Sequence, residues 1–245
     1  MIALDITTTA CNRIDIIEKT YKSFTENLTG VDWNKSTLYI NIDPVPYNYD
    51  IEKDRDAIVE MCHKYFGYVV ANRPIQPNFT RAYNWIWSHA TKDIILNLED
   101  DWELIKQIDI DILLQYFKNI STLYQVVLRA YTYHYPCTCA SPSLLHRRYY
   151  HAIGGKMDEL RNPETQTHST SSTERFGIFI PNKKSCPDRN YIKKYVVAYP
   201  EVENDNFAII VKDIGREWLI KSNYDRPQNL GICKKDSFVK WIKKS

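Results

Sequence analysis

DIILNLEDDWE, residues 93–103, is an apolar run that ends in three consecutive carboxylates. The segment from Ile94 to Leu98 is interrupted only by Asn97, and a short apolar run of this kind predicts a buried strand. In an open α/β sheet, the carboxyl ends of the strands deliver side chains into the ligand crevice. The stretch therefore predicts an acidic site at the end of a central strand.

The carboxylates of Glu99, Asp100 and Asp101 repel one another, so the folded protein must solvate them, protonate them in part or compensate them with a cation. Mg²⁺ and Mn²⁺ suit this role, because they take oxygen ligands and combine one or two protein carboxylates with waters and substrate phosphates. Side chains alternate along an extended segment. We therefore expect Glu99 and Asp101 to face one ligand together, with Asp100 pointing away. The alternative is a solvated acidic turn after the strand.

The composition narrows the class of protein. The chain has 245 residues, with 32 basic and 30 acidic side chains and a net charge of +2. A chain of this length can form an α/β domain with a substantial core. The balanced charge gives no global field that would favour nucleic acid or an anionic membrane. Because there are only 7 glycines, a Gly-rich phosphate-binding loop is not expected.

The N-terminal residues 1–10 are strand-like and contain neither a basic region nor a long apolar region, so we expect no secretory signal. No stretch approaches the roughly 20 apolar residues of a membrane span. The six cysteines are scattered through the chain, which favours reduced thiols. Together these features predict a cytoplasmic protein.

The first hundred residues alternate between strand and helix patterns. This order predicts a mostly parallel sheet whose crevice gathers the loops after Thr9, Ile42 and Leu98. At the first strand-to-helix junction, Asn12 is typical of a helix cap, although the free N–H groups of such a junction also suit a phosphate or a base. The predicted elements are strands at about 2–9, 37–42, 67–71 and 94–98, helices at about 14–27 and 51–65, and a further helix that carries Arg81 and Asn84 on one face.

Several motifs in this order resemble the nucleotide-sugar half of a GT-A glycosyltransferase of the family-2-like branch. They are the Cys-Asn-Arg that ends the first strand at residues 11–13, Asp43 after the second strand, the Arg-x-x-Asn face at residues 81–84, and Leu-Glu-Asp-Asp-Trp at residues 98–102. The resemblance implies an α/β fold, in which a Rossmann-like, mostly parallel sheet is flanked by helices in a single domain.

The resemblance also implies roles for individual residues. The acidic element would be the DxD motif, in which Asp101 binds the Mn²⁺ or Mg²⁺ that bridges the donor diphosphate. Glu99 and Asp100 would be its neighbours, in contact with metal, ribose or sugar. The other implied donor-binding residues are Thr8, Asn12, Arg13 and Asp43 around the nucleoside, and Arg81 and Asn84 near the diphosphate and sugar.

The later part of the chain carries the same resemblance in residues 143–160, which are similar to the acceptor side of the family. Downstream, the family places a catalytic carboxylate at the start of a helix. Glu174 fits this position best, and Glu164 is the competitor. On its own residues, Glu174 is equally a first-turn carboxylate that the helix dipole favours.

Asp213 stands where the family has a histidine before Ile-Gly, which implies a second metal ligand, and Arg216 would pair with the diphosphate. The alternative for residues 213–216 is an ordinary turn with a surface ion pair. The basic tail, residues 221–245, either binds phosphates and stacks on a base or forms a solvated C-terminal helix.

We therefore predict one GT-A domain over residues 1–220, with a nucleotide-sugar half to residue 103, an acceptor half from residue 104 and a basic tail from residue 221. The predicted function is metal-dependent transfer of a hexose or pentose from a nucleotide-sugar to a hydroxyl of a glycan or sugar, with inversion. A hydroxylated base in DNA is an alternative acceptor. A non-catalytic nucleotide-sugar-binding module is the alternative from another class. A sugar-phosphate nucleotidyltransferase is disfavoured, because the chain has no Gly-rich N-terminal loop.

Overall fold

The computed structural model describes residues 1–46, 50–128, 142–163, 166, 196–199, 209–225 and 242–243. The helices described in full are α1 (Ile14–Asn27), α2 (Ile51–Cys62), α3 (Phe79–His89), α4 (Ile110–Asn119), α5 (Arg148–Ala152) and α6 (Gly215–Lys221). The strands are β1 (Asp5–Cys11), β2 (Leu28–Thr29), β3 (Thr37–Asp43), β4 (Tyr68–Asn72), β5 (Ile94–Glu99), β6 (Trp102–Leu104), β7 (Ile108–Asp109), β8 (Gln125–Val127), β9 (Ser143–His146), β10 (Val196–Ala198), β11 (Val211–Asp213), β12 (Tyr224–Asp225) and β13 (Ile242–Lys243).

Among the described residues, the central sheet has seven strands in the spatial order β10-β8-β9-β5-β1-β3-β4. Strands β4, β3, β1 and β5 run parallel, whereas β9 runs antiparallel to β5 and β8. From β1 the chain first adds β3 and β4 on one side and then crosses to β5 on the other side. The topological switch point, where open α/β sheets bind ligands, therefore lies between β1 and β5. The predicted mostly parallel α/β sheet is confirmed.

Helices cover both faces of the sheet. The buried residues of α1 recur every three or four positions, as at Ile17, Tyr21 and Phe24, so one apolar stripe faces the sheet. This stripe packs with α2 and with the side of β1 that carries Ile6. On the opposite face, α3 and α5 form a second apolar cluster around Trp87. The sheet is thus buried on both sides, as a parallel sheet requires.

Where the C-terminal part of the chain is described, it takes part in two short antiparallel pairs. β11 pairs with β6 beside the central sheet, and β12 pairs with β13. Residues 242 and 243 of the basic tail are therefore extended, whereas one expectation for the tail was a helix. Within the described ranges, none of the helices combines the length and the apolar composition that crossing a bilayer requires.

Asn97 interrupts the apolar run of β5 because it serves a buried polar network beneath α3. The residue is 1% exposed, and its Oδ1 accepts hydrogen bonds from Thr7 Oγ1 at 3.1 Å and from Trp87 Nε1 at 3.0 Å. A buried donor without an acceptor costs about 1–3 kcal/mol. Asn97 of β5 therefore links α3 and β1 through hydrogen bonds, two residues before Glu99.

We predict that Asn97→Leu lowers the free energy of unfolding by about 2–3 kcal/mol, because it leaves the Trp87 indole N–H and the Thr7 hydroxyl without their acceptor. Urea unfolding measures the change. In a Trp87→Phe background one donor is already missing, so the same substitution should cost less than in the wild type. Equal costs in both backgrounds would contradict this assignment of the hydrogen bond.

Candidate functional site

The acidic residues lie at the switch point, where the carboxyl ends of β1 and β5 are side by side. The parallel register pairs Thr9 with Glu99, so the connection after β1 meets the turn after β5. This connection consists only of Asn12 and Arg13, because α1 begins at Ile14. The short connection therefore places Arg13 against the acidic turn.

Arg13 and Asp100 form a buried ion pair across the switch point. Arg13 Nη2 lies 2.6 Å from Asp100 Oδ1 and 3.3 Å from Asp101 Oδ2, and the Arg13 side chain is 3% exposed. The other carboxylate oxygen of Asp100 accepts a hydrogen bond from the backbone N–H of Cys11 at 2.8 Å. Burial alone would lower the pKa of Arg13, but the charges of Asp100 and Asp101 raise it, so Arg13 is charged at any working pH.

The expected pairing of Glu99 with Asp101 is wrong. The extended strand ends at Glu99, and Asp100 and Asp101 form a turn, so the alternation of side chains stops before them. Glu99 Oε2 instead accepts a hydrogen bond from Trp102 Nε1 at 3.0 Å. The two carboxylates that come together are Asp100 and Asp101, because both reach Arg13.

Asp213 comes next to Asp101 through the antiparallel pairing of β11 with β6. The register sets Asp213 opposite Trp102, and the N–H of Ile214 donates to the carbonyl oxygen of Asp101 at 2.9 Å. Burial and the charges of Asp100 and Asp213 together raise the pKa of Asp101 to about 6, although the charge and hydrogen bond of Arg13 oppose the shift. Residues more than one hundred positions apart thus share one acidic cluster, which we define as Asp100, Asp101 and Asp213.

The acidic cluster has an inner and an outer part. Asp100 is buried, and both of its carboxylate oxygens are bonded by the protein. The side chains of Asp101 and Asp213 are 26% and 38% exposed. In the described part of the chain, no set of three or more His, Cys, Asp or Glu side chains is arranged as a complete metal site. Two partly exposed carboxylates nevertheless fit Mg²⁺ or Mn²⁺, which fill their other positions with waters and phosphates.

Helix α6 closes one side of the acidic cluster. The Cζ of Arg13 lies 5.3 Å from the centre of the Trp218 ring, within the range of a cation–π interaction. Trp218 Nε1 donates to Asp15 Oδ1 at 3.0 Å, and its ring stacks on Tyr224 with the centroids 6.0 Å apart. Trp218 and Asp15 were not among the predicted site residues, because no local pattern links the two ends of the chain.

Arg216 lies on the outer side of α6. Its side chain is 89% exposed, and its Nε is 3.8 Å from Asp213 Oδ2. The surface ion pair that we considered for residues 213–216 is therefore present. The contact of Arg216 with a diphosphate stays a prediction.

Asp43 is the last residue of β3 and belongs to a buried series of side-chain hydrogen bonds. Its Oδ1 accepts from Asn41 Nδ2 at 2.9 Å, and Asn41 Oδ1 accepts from Asn72 Nδ2 at 2.6 Å. Burial raises the pKa of Asp43 to about 6, although hydrogen bonds from Asn41 and from the N–H of Asn78 oppose the shift. A carboxyl group with a raised pKa at the end of a central strand is typical of functional sites.

Asn12 is not a helix cap. Arg13 occupies the cap position of α1, and its side chain makes no capping hydrogen bond. Asn12 Nδ2 instead donates to Asp54 Oδ2 at 3.2 Å, which ties the start of α1 to α2. Thr8 is completely buried inside β1 and lines no open surface.

Arg81 and Asn84 share one face of α3, and this face holds residues 157–161. Arg81 Nε lies 2.9 Å from Glu159 Oε2. Asn84 donates to the carbonyl oxygen of Met157 at 2.9 Å and accepts from its N–H at 2.8 Å. The two residues therefore anchor the segment that leads towards Glu164, and their contact with a donor stays a prediction. Glu164 and Glu174 lie outside the described residues.

Solved structures share this arrangement of strands and helices. A cytidylyltransferase from Leptospira borgpetersenii serovar Hardjo-bovis matches with a TM-score of 0.51 at 13% identity, over 97% of this chain and 91% of that one. S. aureus TarS 1-349 in complex with UDP-GlcNAc matches with a TM-score of 0.50 at 10% identity, over 84% and 61%. The mannosyltransferase PcManGT from Pyrobaculum calidifontis, in complex with GDP-Man and Mn²⁺, matches with a TM-score of 0.50 at 12% identity, over 83% and 60%.

The chain has a GT-A-like fold. The switch point and the acidic turn after β5 are thus parts of a GT-A-like sheet, as the sequence motifs implied. The chain spans 33% to 61% of the lengths of the TarS chains that it matches. No protein-family model matches the sequence, and the search of curated proteins gave no match.

We predict that Gly215→Ala destabilises the protein by about 1–3 kcal/mol, because a Cβ at this position would lie 2.1 Å from Asp101 Oδ2. In an Asp101→Ala background the carboxylate is gone, so the cost should fall below about 1 kcal/mol. Urea unfolding of the two single variants and the double variant gives both costs. An unchanged cost would show that Gly215 is required for another reason.

We predict that Asp43→Asn stabilises the protein at pH 8 but not at pH 4. The pKa of Asp43 is raised to about 6 in the folded state, so its contribution to stability is complete below the unfolded pKa and is lost as the pH rises through 6. Since one pKa unit corresponds to about 1.4 kcal/mol, the difference between variant and wild type should grow by about 2–3 kcal/mol over this range.

The control for Asp43→Asn is Asp5→Asn. Burial would raise the pKa of Asp5, but hydrogen bonds from Lys92 and Thr91 lower it. Its contribution is therefore present above the unfolded pKa and lost at lower pH, so Asp5→Asn should destabilise the protein most at neutral pH. Urea midpoints between pH 4 and pH 8 test both variants. A pH-independent effect of Asp43→Asn would contradict the raised pKa.

Proposed function

We propose that the protein is a metal-dependent glycosyltransferase that moves a sugar from a nucleotide-sugar to an acceptor hydroxyl with inversion. The observation that carries this proposal is the meeting of Asp101 and Asp213 at the switch point of a GT-A-like sheet. Two accessible carboxylates at this position suit a divalent ion that also binds a diphosphate. Solved structures of similar fold, TarS with UDP-GlcNAc and PcManGT with GDP-Man and Mn²⁺, support a nucleotide-sugar donor.

Each part of the donor has candidate partners on this chain. Asp101 and Asp213 would hold Mn²⁺ or Mg²⁺, which when bound neutralises the negative charge that develops on the leaving diphosphate. Arg216, beside Asp213, would add a guanidinium on the same side. Asp43 and Asn12, at the ends of β3 and β1, would contact the nucleoside.

The acceptor half would supply the base. We propose Glu174 as the base, with Glu164 as the competitor. As the acceptor oxygen attacks the anomeric carbon, its proton passes to the carboxylate, and the bond from the anomeric carbon to the diphosphate breaks with its electron pair. The new glycosidic bond forms on the opposite face of the sugar, which gives inversion. The acceptor would be a glycan or sugar, and a hydroxylated base in DNA is the alternative acceptor.

A sugar-phosphate nucleotidyltransferase is the second candidate function, since the similar cytidylyltransferase matches over 91% of its length. Against this candidate, the connection between β1 and α1 is only Asn12-Arg13 and contains no glycine to bring backbone close to a triphosphate. Release of pyrophosphate from a nucleoside triphosphate and a sugar phosphate would identify it. Release of a nucleoside diphosphate from a nucleotide-sugar would identify the glycosyltransferase.

We predict that one class of nucleotide-sugar or nucleoside diphosphate raises the melting temperature by about 5 °C or more at saturating concentration, and only when Mn²⁺ is present. A panel of uridine, guanosine, cytidine, adenosine and thymidine compounds, with and without Mn²⁺, identifies the class. Asp101→Asn should abolish the Mn²⁺-dependent part of the shift.

The matched control for Asp101→Asn is Glu60→Gln, which removes an exposed carboxylate in the last turn of α2. This variant should respond to ligand as the wild type does. Absence of any shift in the wild type would refute the proposed function. A shift without turnover on any acceptor, and without hydrolysis of the donor, would favour a non-catalytic nucleotide-sugar-binding module.

A further inference from the structure

Arg13 is not arranged like a residue that contacts a nucleoside. Its guanidinium is buried, with Nη2 bonded to the carboxylates of Asp100 and Asp101. Among the described residues, no other lysine or arginine lies within ion-pair distance of these two carboxylates. The positive charge of Arg13 is therefore directed at the acidic cluster.

The contacts within the acidic cluster differ between Asp100 and Asp101. Asp100 has the shorter contact with Arg13, 2.6 Å against 3.3 Å for Asp101. The backbone carbonyl of Asp100 also accepts from Thr20 Oγ1 at 2.9 Å, so the residue is held to α1 as well as to β1. A carboxylate whose two oxygens are both bonded inside the protein is poorly placed to bind an external ion.

Trp218 keeps Arg13 in this position from the other side. The indole ring lies over the guanidinium, and the bond from Trp218 Nε1 to Asp15 fixes the ring plane. Arg13 is thus enclosed between the Trp218 ring and Asp100. A planar guanidinium suits this arrangement, because it can stack on an aromatic face while its edge bonds a carboxylate.

We propose that Arg13 is the resident counter-ion of Asp100, and that this ion pair stands outside the ligand set of the divalent cation. The pair largely cancels its own charge, and the two partly exposed carboxylates, Asp101 and Asp213, are left as ligands for one divalent ion. Their nearest cations are more distant, with Arg13 at 3.3 Å from Asp101 and the exposed Arg216 at 3.8 Å from Asp213. Arg13 is then a positioning residue, which holds Asp100 and the turn after β5 in place. This inference rests on the proposed function, because it assumes that the acidic cluster binds Mn²⁺ or Mg²⁺.

The charge balance makes the roles of Arg13 and Asp100 testable by Mn²⁺ binding alone. If the pair is separate from the ligands, removal of Arg13 adds one net negative charge to the site, removal of the Asp100 charge subtracts one, and removal of both leaves the charge unchanged. Electrostatic interactions over these short, partly buried distances correspond to about a tenfold change in affinity for each charge. If Asp100 is a ligand, the double change instead loses the ligand.

The experiment measures the affinity for Mn²⁺ at pH 8, alone and with UDP or GDP, from the electron paramagnetic resonance signal of free Mn²⁺. We expect Arg13→Met to bind Mn²⁺ about tenfold more tightly and Asp100→Asn about tenfold more weakly. The double variant Arg13→Met/Asp100→Asn should bind within about threefold of the wild type. Arg13→Lys, which keeps the positive charge, should also bind Mn²⁺ within about threefold of the wild type.

Urea unfolding of the same variants is the second readout. Arg13→Met leaves a buried charge without its partner and should be strongly destabilised, and the double variant should regain much of that loss. If Arg13→Met does not fold, Arg13→Lys and the double variant still test the charge balance. Lys22→Met removes an exposed positive charge from α1 and should leave the affinity for Mn²⁺ unchanged, because solvent and salt screen it.

Two results would overturn this inference without refuting the proposed function. One is a folded double variant that binds Mn²⁺ no better than Asp100→Asn, which would make Asp100 a ligand. The other is a folded Arg13→Met that binds Mn²⁺ more weakly than the wild type. A wild-type protein that binds no Mn²⁺, alone or with UDP or GDP, would instead refute the metal dependence of the proposed function, and the inference with it.

Discussion

The buried ion pair between Arg13 and Asp100 is the interaction on which the arrangement of the site depends. It joins the carboxyl ends of β1 and β5 at the switch point of the sheet, where the chain crosses from one side of β1 to the other. A charge buried without a partner costs several kcal/mol, so neither residue can move away alone. The pair therefore fixes the turn that carries Asp101, and with it the exposed half of the acidic cluster.

The C-terminal segment completes the site from the opposite end of the chain. β11 pairs with β6, and Gly215 at the start of α6 approaches the carboxylate of Asp101 so closely that a side chain there would collide with it. Trp218 then covers Arg13. Residues after position 210 thus enclose a cluster built largely by the first 101, which makes the N-terminal half of the fold incomplete as a site without its C-terminal partner.

The elements that local pattern determines were predicted well. Helix α1 has the predicted bounds, because its apolar residues repeat with a helical period and place one stripe on the sheet. The position of Asp43 at the end of β3 was predicted from the strand-like pattern of residues 37–42. The pairing of Glu99 with Asp101 was wrong, because the alternation rule holds only while the chain is extended. The capping role of Asn12 was also wrong, because α2 offers Asp54 as a partner that no local rule anticipates.

The sequence by itself determined the alternation of strands and helices, the parallel sheet and the acidic end of β5, because hydrophobic periodicity and chain connectivity act over short stretches. Tertiary structure alone decided that Asp100 makes the shorter contact with Arg13, that Asp101 and Asp213 stay partly exposed, and that Trp218 and Gly215 lie against the acidic cluster. The physical reason is that burial and electrostatic coupling depend on distances between residues far apart in sequence. Asp100 and Asp101 are neighbours with the same chemistry, and only their surroundings make one the buried, closer partner of Arg13 and leave the other partly exposed to solvent.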